Sequence, residues 1–252
     1  MDDQKQKVHS LSNKIRENPT QTDEEQDRLI RYLQSDDPDL TGFTAMRISS
    51  LSEDYPEQIC DRSDKLAEMF ISLEDPSVRF ELAKSFKNLA ESGNCINKHV
   101  IEGLTEATRI RDEKYWETEA RKEESTIKHA IKGWLSVLNE SDRDIPKEVV
   151  ESIAGGIPVF HRRTVIRSIQ LFKTVCTSGG EGEDLAFQTL KQMANADNTN
   201  VSLRAMSALA ELSLDGAVEE NKVVEIVDST YRNKDVPEDE SIEELLRKHS
   251  EK

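Results

Sequence analysis

The feature that most constrains this chain is a short helix-opening stretch that occurs more than once. Glu74-Asp75-Pro76-Ser77-Val78-Arg79 is followed by Phe80, Ala83, Phe86 and Leu89. An Asp just before a helix accepts hydrogen bonds from the exposed N–H groups of the first turn. Pro at the first helical position loses no bond, because its N–H would have had no partner there. Apolar residues at steps of three then mark one buried face. Asp37-Pro38-Asp39-Leu40, followed by Ala45, Ile48 and Leu51, is the same pattern 38 positions earlier. A unit that recurs at this period buries its apolar stripe against its own neighbours.

Composition suits thin layers better than a thick core. The 252 residues are 35% apolar and 5% aromatic, where a globular chain carries about 45–50% apolar residues with Gly counted. The apolar residues that are present are periodic, which argues against disorder. Thirty-four basic against 50 acidic residues leave a net charge of −16. Such a surface disfavours indiscriminate binding to phosphate backbones, which relies on Lys and Arg releasing counterions. It is also self-repelling, so a soluble monomer is expected. A high-salt cytoplasm is an alternative source of the acidic load. Cys60, Cys95 and Cys176 form no CxxC pair, a pattern of small core residues in a reducing compartment. No apolar run follows Met1-Asp2-Asp3-Gln4 and no stretch approaches the roughly 20 apolar residues of a membrane span. The expected location is the cytoplasm.

Along the chain, residues 1–21 are polar, with Val8, Leu11 and Ile15 at helical spacing, and read as a flexible segment outside the fold. Thr22-Asp23-Glu24-Glu25 reads as a capping box opening a helix that turns Leu29 and Leu33 inward. Helices are then expected over 40–52, 57–73 (with Ile59, Leu66, Ala67, Phe70 and Ile71 inward), 76–91 and 96–110. Residues 112–139 read as one long helix or two, with a stripe of Ile127, Ile131, Trp134, Leu135 and Leu138. Pro146 opens a short helix broken at Gly155-Gly156-Ile157-Pro158, and another follows over 159–175. An offset of 83 places Val150, Ile153 and Ala154 on Ala67, Phe70 and Ile71, and Ile166, Ile169 and Phe172 on Ala83, Phe86 and Leu89. A further step of 40 reaches Leu190 and Met193, then Met206, Leu209 and Leu212. Residues 218–232 form the last full helix, and 237–246 an acidic terminal one. No segment alternates with period two, so no strand is expected. The solenoid is set at residues 22–234, between the tail and an acidic C-terminal cap over 235–252.

A helix pair of about 40 residues opened by Asp-Pro-x-Val-Arg resembles the HEAT repeat, an armadillo-like α-solenoid family. Asp75-Pro76-Ser77-Val78-Arg79 carries the match. Asp37-Pro38-Asp39-Leu40 lacks the Arg, and Asn200-Val201-Ser202-Leu203-Arg204 lacks the Pro. The resemblance covers residues 23 to 232 with a poor unit near 112–139. It implies an all-α, right-handed α-solenoid of about five helix pairs. It also implies that Asp37, Asp75, Arg79 and Arg204 form a structural ladder between repeats.

Chemistry is hard to locate. His9, His99, His129, His161 and His249 lie in no metal-binding spacing. Ser178-Gly179-Gly180-Glu181-Gly182-Glu183 lacks the Lys-Ser/Thr of a phosphate loop, and its two Glu would repel phosphate. No catalytic residue, cofactor or metal ligand is assigned, so no enzyme is expected. Two patches stand out as partner-binding candidates. Arg162, Arg163 and Arg167 form the most basic stretch, and Tyr115-Trp116 offers an aromatic anchor. The expected function is a non-catalytic protein-interaction scaffold with a protein partner. The alternatives are a HEAT-like nucleic-acid binder using the basic patch, akin to base-repair proteins, and a repeat-built lyase or chaperone accessory.

Overall fold

Four helix starts carry the local signal in full. In the computed structural model, which describes residues 3–18, 22–109, 120–141 and 143–233, the Asp37 carboxylate accepts from the N–H groups of Asp39 and Leu40. Asp75 does the same for Ser77 and Val78. Asn97 and Asn198 cap two further helices through their side-chain oxygens. Pro38 and Pro76 occupy first-turn positions. Tyr115, Trp116 and the acidic segment 235–252 lie outside the described residues.

The chain divides into two units, Met1–Arg143 and Asp144–Lys252. The first holds α1 (Asp3–Glu17), α2 (Asp23–Arg31), α3 (Pro38–Asp54), α4 (Pro56–Cys60), α5 (Ser63–Ser72), α6 (Pro76–Glu91), α7 (Lys98–Thr108) and α8 (Ala120–Glu140). In this unit α1, α3, α6 and α8 pack in succession as one layer. The helix α2, the broken pair α4–α5 and α7 lie behind them, with α5 on α7 and α7 on α6 and α8. The second unit holds α9 (Lys147–Gly156), α10 (Arg162–Ser178), α11 (Glu183–Ala194), α12 (Thr199–Leu214) and α13 (Glu220–Asn233). There α10 packs on α12, while α9, α11 and α13 form the other layer. No strand occurs among the described residues.

One register runs through the capped layer. Phe86 of α6 corresponds to Ile48 of α3, Trp134 of α8, Phe172 of α10 and Leu209 of α12. Ala83 corresponds to Ala45, Ile131, Ile169 and Met206, and all ten are buried. The successive steps are 38, 48, 38 and 37 residues. The middle unit is therefore a regular helix face preceded by ten extra residues. Close packing shows at Gly103 of α7, where an added Cβ would stand 2.5 Å from the Phe86 ring. After α6 the chain turns at Gly93 with φ +72°, a conformation that side chains with a Cβ disfavour.

Several expectations are corrected. Residues 3–17 are helix α1, and Val8, Leu11 and Ile15 are buried in the first unit. Stacking therefore starts before residue 22, because three apolar residues on one stripe suffice when a neighbour is waiting for them. Residues 57–73 are two helices: Arg62 interrupts them, reaching back to Asp23 and Asp27 of α2 at 2.8 and 2.7 Å. Ile71 is 54% exposed. Thr22 precedes α2 without a capping bond from its side chain, and its hydroxyl accepts from Gln26 Nε2 at 3.3 Å. In α8 the buried stripe runs through Val137, while Leu135 and Leu138 are half-buried. The α10 alignment slips by one turn. Ile169, not Ile166, stands in the Ala83 position, so the offset there is 86 rather than 83. The offset of 83 holds in the other layer, where Val150 and Ile153 are buried like Ala67 and Phe70.

Candidate protein-binding face

In α3, α6 and α12 the residue four places after the N-cap points inward and donates to backbone carbonyls. Arg79 in α6 is fully buried. It donates to the carbonyl oxygens of Phe70 (3.1 Å) and Leu73 (3.4 Å) at the end of α5, and to Glu106 O of α7 at 3.4 Å. Its guanidinium lies 4.5 Å from the Phe70 ring centroid, and 3.7 Å from the buried Glu106 carboxylate. The same place in α3 is Thr41, which donates to Ser35 O at 3.1 Å and Asp37 O at 2.9 Å. In α12 it is Ser202, which donates to Ala194 O at 2.5 Å. These donors satisfy carbonyls that the end of the preceding helix leaves without an intrahelical partner. Asp37 and Asp75 act as caps. Arg204 lies two residues past the Ser202 place, exposed, with Nε on Asn200 Oδ1 at 3.3 Å. The helix is capped by Asn198, so the Asn200 alignment was two residues late.

The opposite side of the same helices is half-buried to exposed, and there the character changes from helix to helix. Five, six and nine places after the cap, α3 presents Gly42, Phe43 and Met46, and α6 presents Phe80, Glu81 and Lys84. By register the α8 set is Lys128, His129 and Lys132, the α10 set Ile166, Arg167 and Gln170, and the α12 set Leu203, Arg204 and Ser207. In the first unit this side holds a groove of about 640 Å³ floored by Gly42, Phe43, Met46 and Phe80. Lys5, Asp39, Ser77, Glu81, Lys122 and Ser125 rim it. Met46 is 43% exposed. Lys122 Nζ donates to Ser77 Oγ at 2.6 Å, and Lys5 Nζ stands 3.6 Å from Asp39. The Arg47 guanidinium covers the Phe43 ring at 5.0 Å. Phe80 meets His129 edge-on at 5.2 Å.

His129 reports the local charge. Burial pushes its pKa down to about 4, and Lys87, Lys132, Lys128 and Lys84 add to the effect. Four lysines thus converge on one imidazole in a chain of net charge −16. Lys84 and Lys87 have carboxylate partners, Glu53 at 3.3 Å and Glu91 at 2.6 Å. Arg47 and Lys128 have no ion pair among the described residues. This cluster was missed in the sequence, where its members are spread over helices about 40 residues apart. The signal available was the register that brings them together.

The basic stretch of α10 lies in the second unit. Arg162 and Arg163 are exposed and Arg167 is half-buried. None of the three has an ion pair among the described residues. Chemistry of other kinds has little footing among the described residues. No group of three or more His, Cys, Asp or Glu could hold a metal ion. Burial pushes the thiols of Cys60 and Cys176 up to about 12, which suppresses the nucleophilic thiolate. No described helix is long and apolar enough to cross a membrane.

No family model matches the sequence, and comparison with curated proteins gives no match. Solved structures share its fold. One is an engineered protein at 14% identity and a TM-score of 0.55, with 90% of this chain and 93% of that one covered. Another is a designed armadillo repeat protein in complex with the peptide (KR)4, at 12% identity and a TM-score of 0.55, covering 89% and 97%. The chain is thus an all-α protein with a helical-repeat solenoid fold.

Proposed function

We propose that this chain is a non-catalytic protein-interaction scaffold built from HEAT-type pairs, acting as a monomer in a reducing, cytoplasmic setting. The observation that carries this reading is the contrast between the two sides of the capped helices. The inner side is filled and hydrogen-bonded, whereas the outer side offers a groove floored by Phe43, Met46 and Phe80, with Arg47 and Lys128 nearby in no ion pair among the described residues. Partly apolar concavities with a polar rim are what partner side chains fill. A peptide-bound designed armadillo protein with the same fold supports binding as the activity of such a surface. The test is affinity capture from native lysate with the full chain and with a Lys128→Glu/Lys132→Glu variant of unchanged circular dichroism. Loss of specific protein partners is the expected result. Capture of none by either protein sinks the reading.

One observation favours nucleic acid as a second reading: aromatic rings at Phe80 and His129 are interleaved with lysines, as in single-strand binding surfaces. Retention on single- or double-stranded DNA that falls steeply with salt would support it.

A further inference from the structure

We infer that the groove of the first unit takes an extended acidic segment anchored by one bulky apolar side chain; this names the partner chemistry of the site proposed above and rests on that reading. Three observations converge on it. The groove, at about 640 Å³, falls in the size range of about 300–1,000 Å³ typical of ligand sites. Its floor of Phe43, Met46 and Phe80 has no hydrogen-bonding side-chain group, so the inserted group is apolar. The Arg47 guanidinium that covers Phe43 on the α3 side has no carboxylate partner among the described residues, and neither has Lys128 on the α8 side. Separate carboxylates brought by the occupant would pair with each, which is local charge complementarity.

Geometry sets the spacing of the motif. Phe80 and Lys128 hold the same register place on adjacent packed helices, α6 and α8, whose axes stand about 8–10 Å apart. An extended chain covers that distance in about three residues at roughly 3.3 Å each. The occupant therefore carries its Asp or Glu about three positions from the apolar anchor. Nucleic acid fits less well, because a phosphate backbone supplies nothing for the apolar floor and brings a charge at every nucleotide against a chain of net charge −16, where a short peptide brings only one or two carboxylates.

The test is a display library of random linear peptides selected against the full chain, followed by fluorescence anisotropy of the selected peptides. Enrichment of apolar-x-x-Asp/Glu sequences is expected. Their affinity should fall about tenfold or more in Met46→Glu, which removes the anchor pocket. It should also fall in Lys128→Glu/Lys132→Glu and weaken with added salt. Leu214→Glu, at a position 87% exposed in the second unit, should change nothing. Selection of basic peptides, or of acidic ones indifferent to both groove variants, overturns the inference and leaves the scaffold reading standing. Selection of no peptide, with retention of DNA instead, overturns both.

Discussion

Arg79 and Arg204 look alike in the sequence, each just after a branched apolar residue (Val78, Leu203) near the start of a helix that opens a pair. In the fold they are opposites. Arg79 is buried among backbone carbonyls and the Glu106 carboxylate, whereas Arg204 sits on the exposed side against Asn200. The helix that carries Arg204 fills the inward place with Ser202. The comparison teaches that this inward place can carry a donor for a neighbouring helix end, supplied by an Arg, a Thr or a Ser, while α10 fills it with the apolar Val165. A buried Arg costs more to desolvate than a hydroxyl, so α6 depends on its partners being complete.

The largest expected effect is therefore Arg79→Ala. It leaves the Phe70, Leu73 and Glu106 carbonyls without their buried donor, removes one of the two cations beside the Glu106 carboxylate (Arg109 stays at 3.0 Å) and empties a large side-chain volume, a loss of about 3–5 kcal/mol. Urea denaturation with hydrogen exchange resolved by segment should show it as faster exchange in α5, α6 and α7. Ser202→Ala removes one neutral donor and should lose about 1 kcal/mol, confined to the second unit. Equal losses at the two positions would break the contrast.

Gly103→Ala sharpens the same contrast between a filled inside and an open outside. Its Cβ would meet the Phe86 ring at 2.5 Å, so overpacking should lower stability by about 1–3 kcal/mol. Gly42→Ala meets nothing within 4 Å and, being mid-helix, should stabilise by up to about 1 kcal/mol. Thermal unfolding of the two variants should move in opposite directions.

The inside was largely legible in the sequence, and the outside was not. Asp37 and Asp75 were readable as caps, and Ile48, Phe86 and Leu209 as core, because each signal is local or repeats at fixed spacing. Phase was harder. A slip of three residues is close to one turn of about 3.6, so placing Ile166 where Ile169 belongs still leaves an apolar stripe on nearly the same face. The ten extra residues before α8 hid the unit in which Trp134 matches Phe86. The basic cluster around His129 escaped altogether, since no local run of charge marks lysines that meet only after helices pack.

His129, outward at the place Arg204 holds in α12, gives a pH test of smaller size. Its folded pKa of about 4 lies below the ordinary imidazole value of 6.5, so the unfolded chain binds the proton more readily. The stability it contributes is complete above about pH 6.5 and is lost as the pH falls toward 4. After discounting for solvent screening of a half-buried group, the loss is on the order of 1 kcal/mol. The difference in urea midpoint between wild type and His129→Leu should change across that window, and a constant difference would count against the assignment.

The smallest effect is expected at Arg204→Ala. One exposed bond to Asn200 at 3.3 Å is all the side chain contributes within the fold among the described residues, so stability should stay within about 0.5 kcal/mol. That near-silence is informative beside Arg79→Ala. If both arginines belonged to one ladder between repeats, their removal would be felt alike. If Arg204 instead belongs to the outward face of the second unit with Arg167, its loss should leave unfolding unchanged. Any effect would then appear in the salt dependence of partner binding, where a rim charge acts chiefly on the rate of encounter. A loss of stability above about 2 kcal/mol at Arg204 would return it to the core of the repeat and undo the distinction between the two sides.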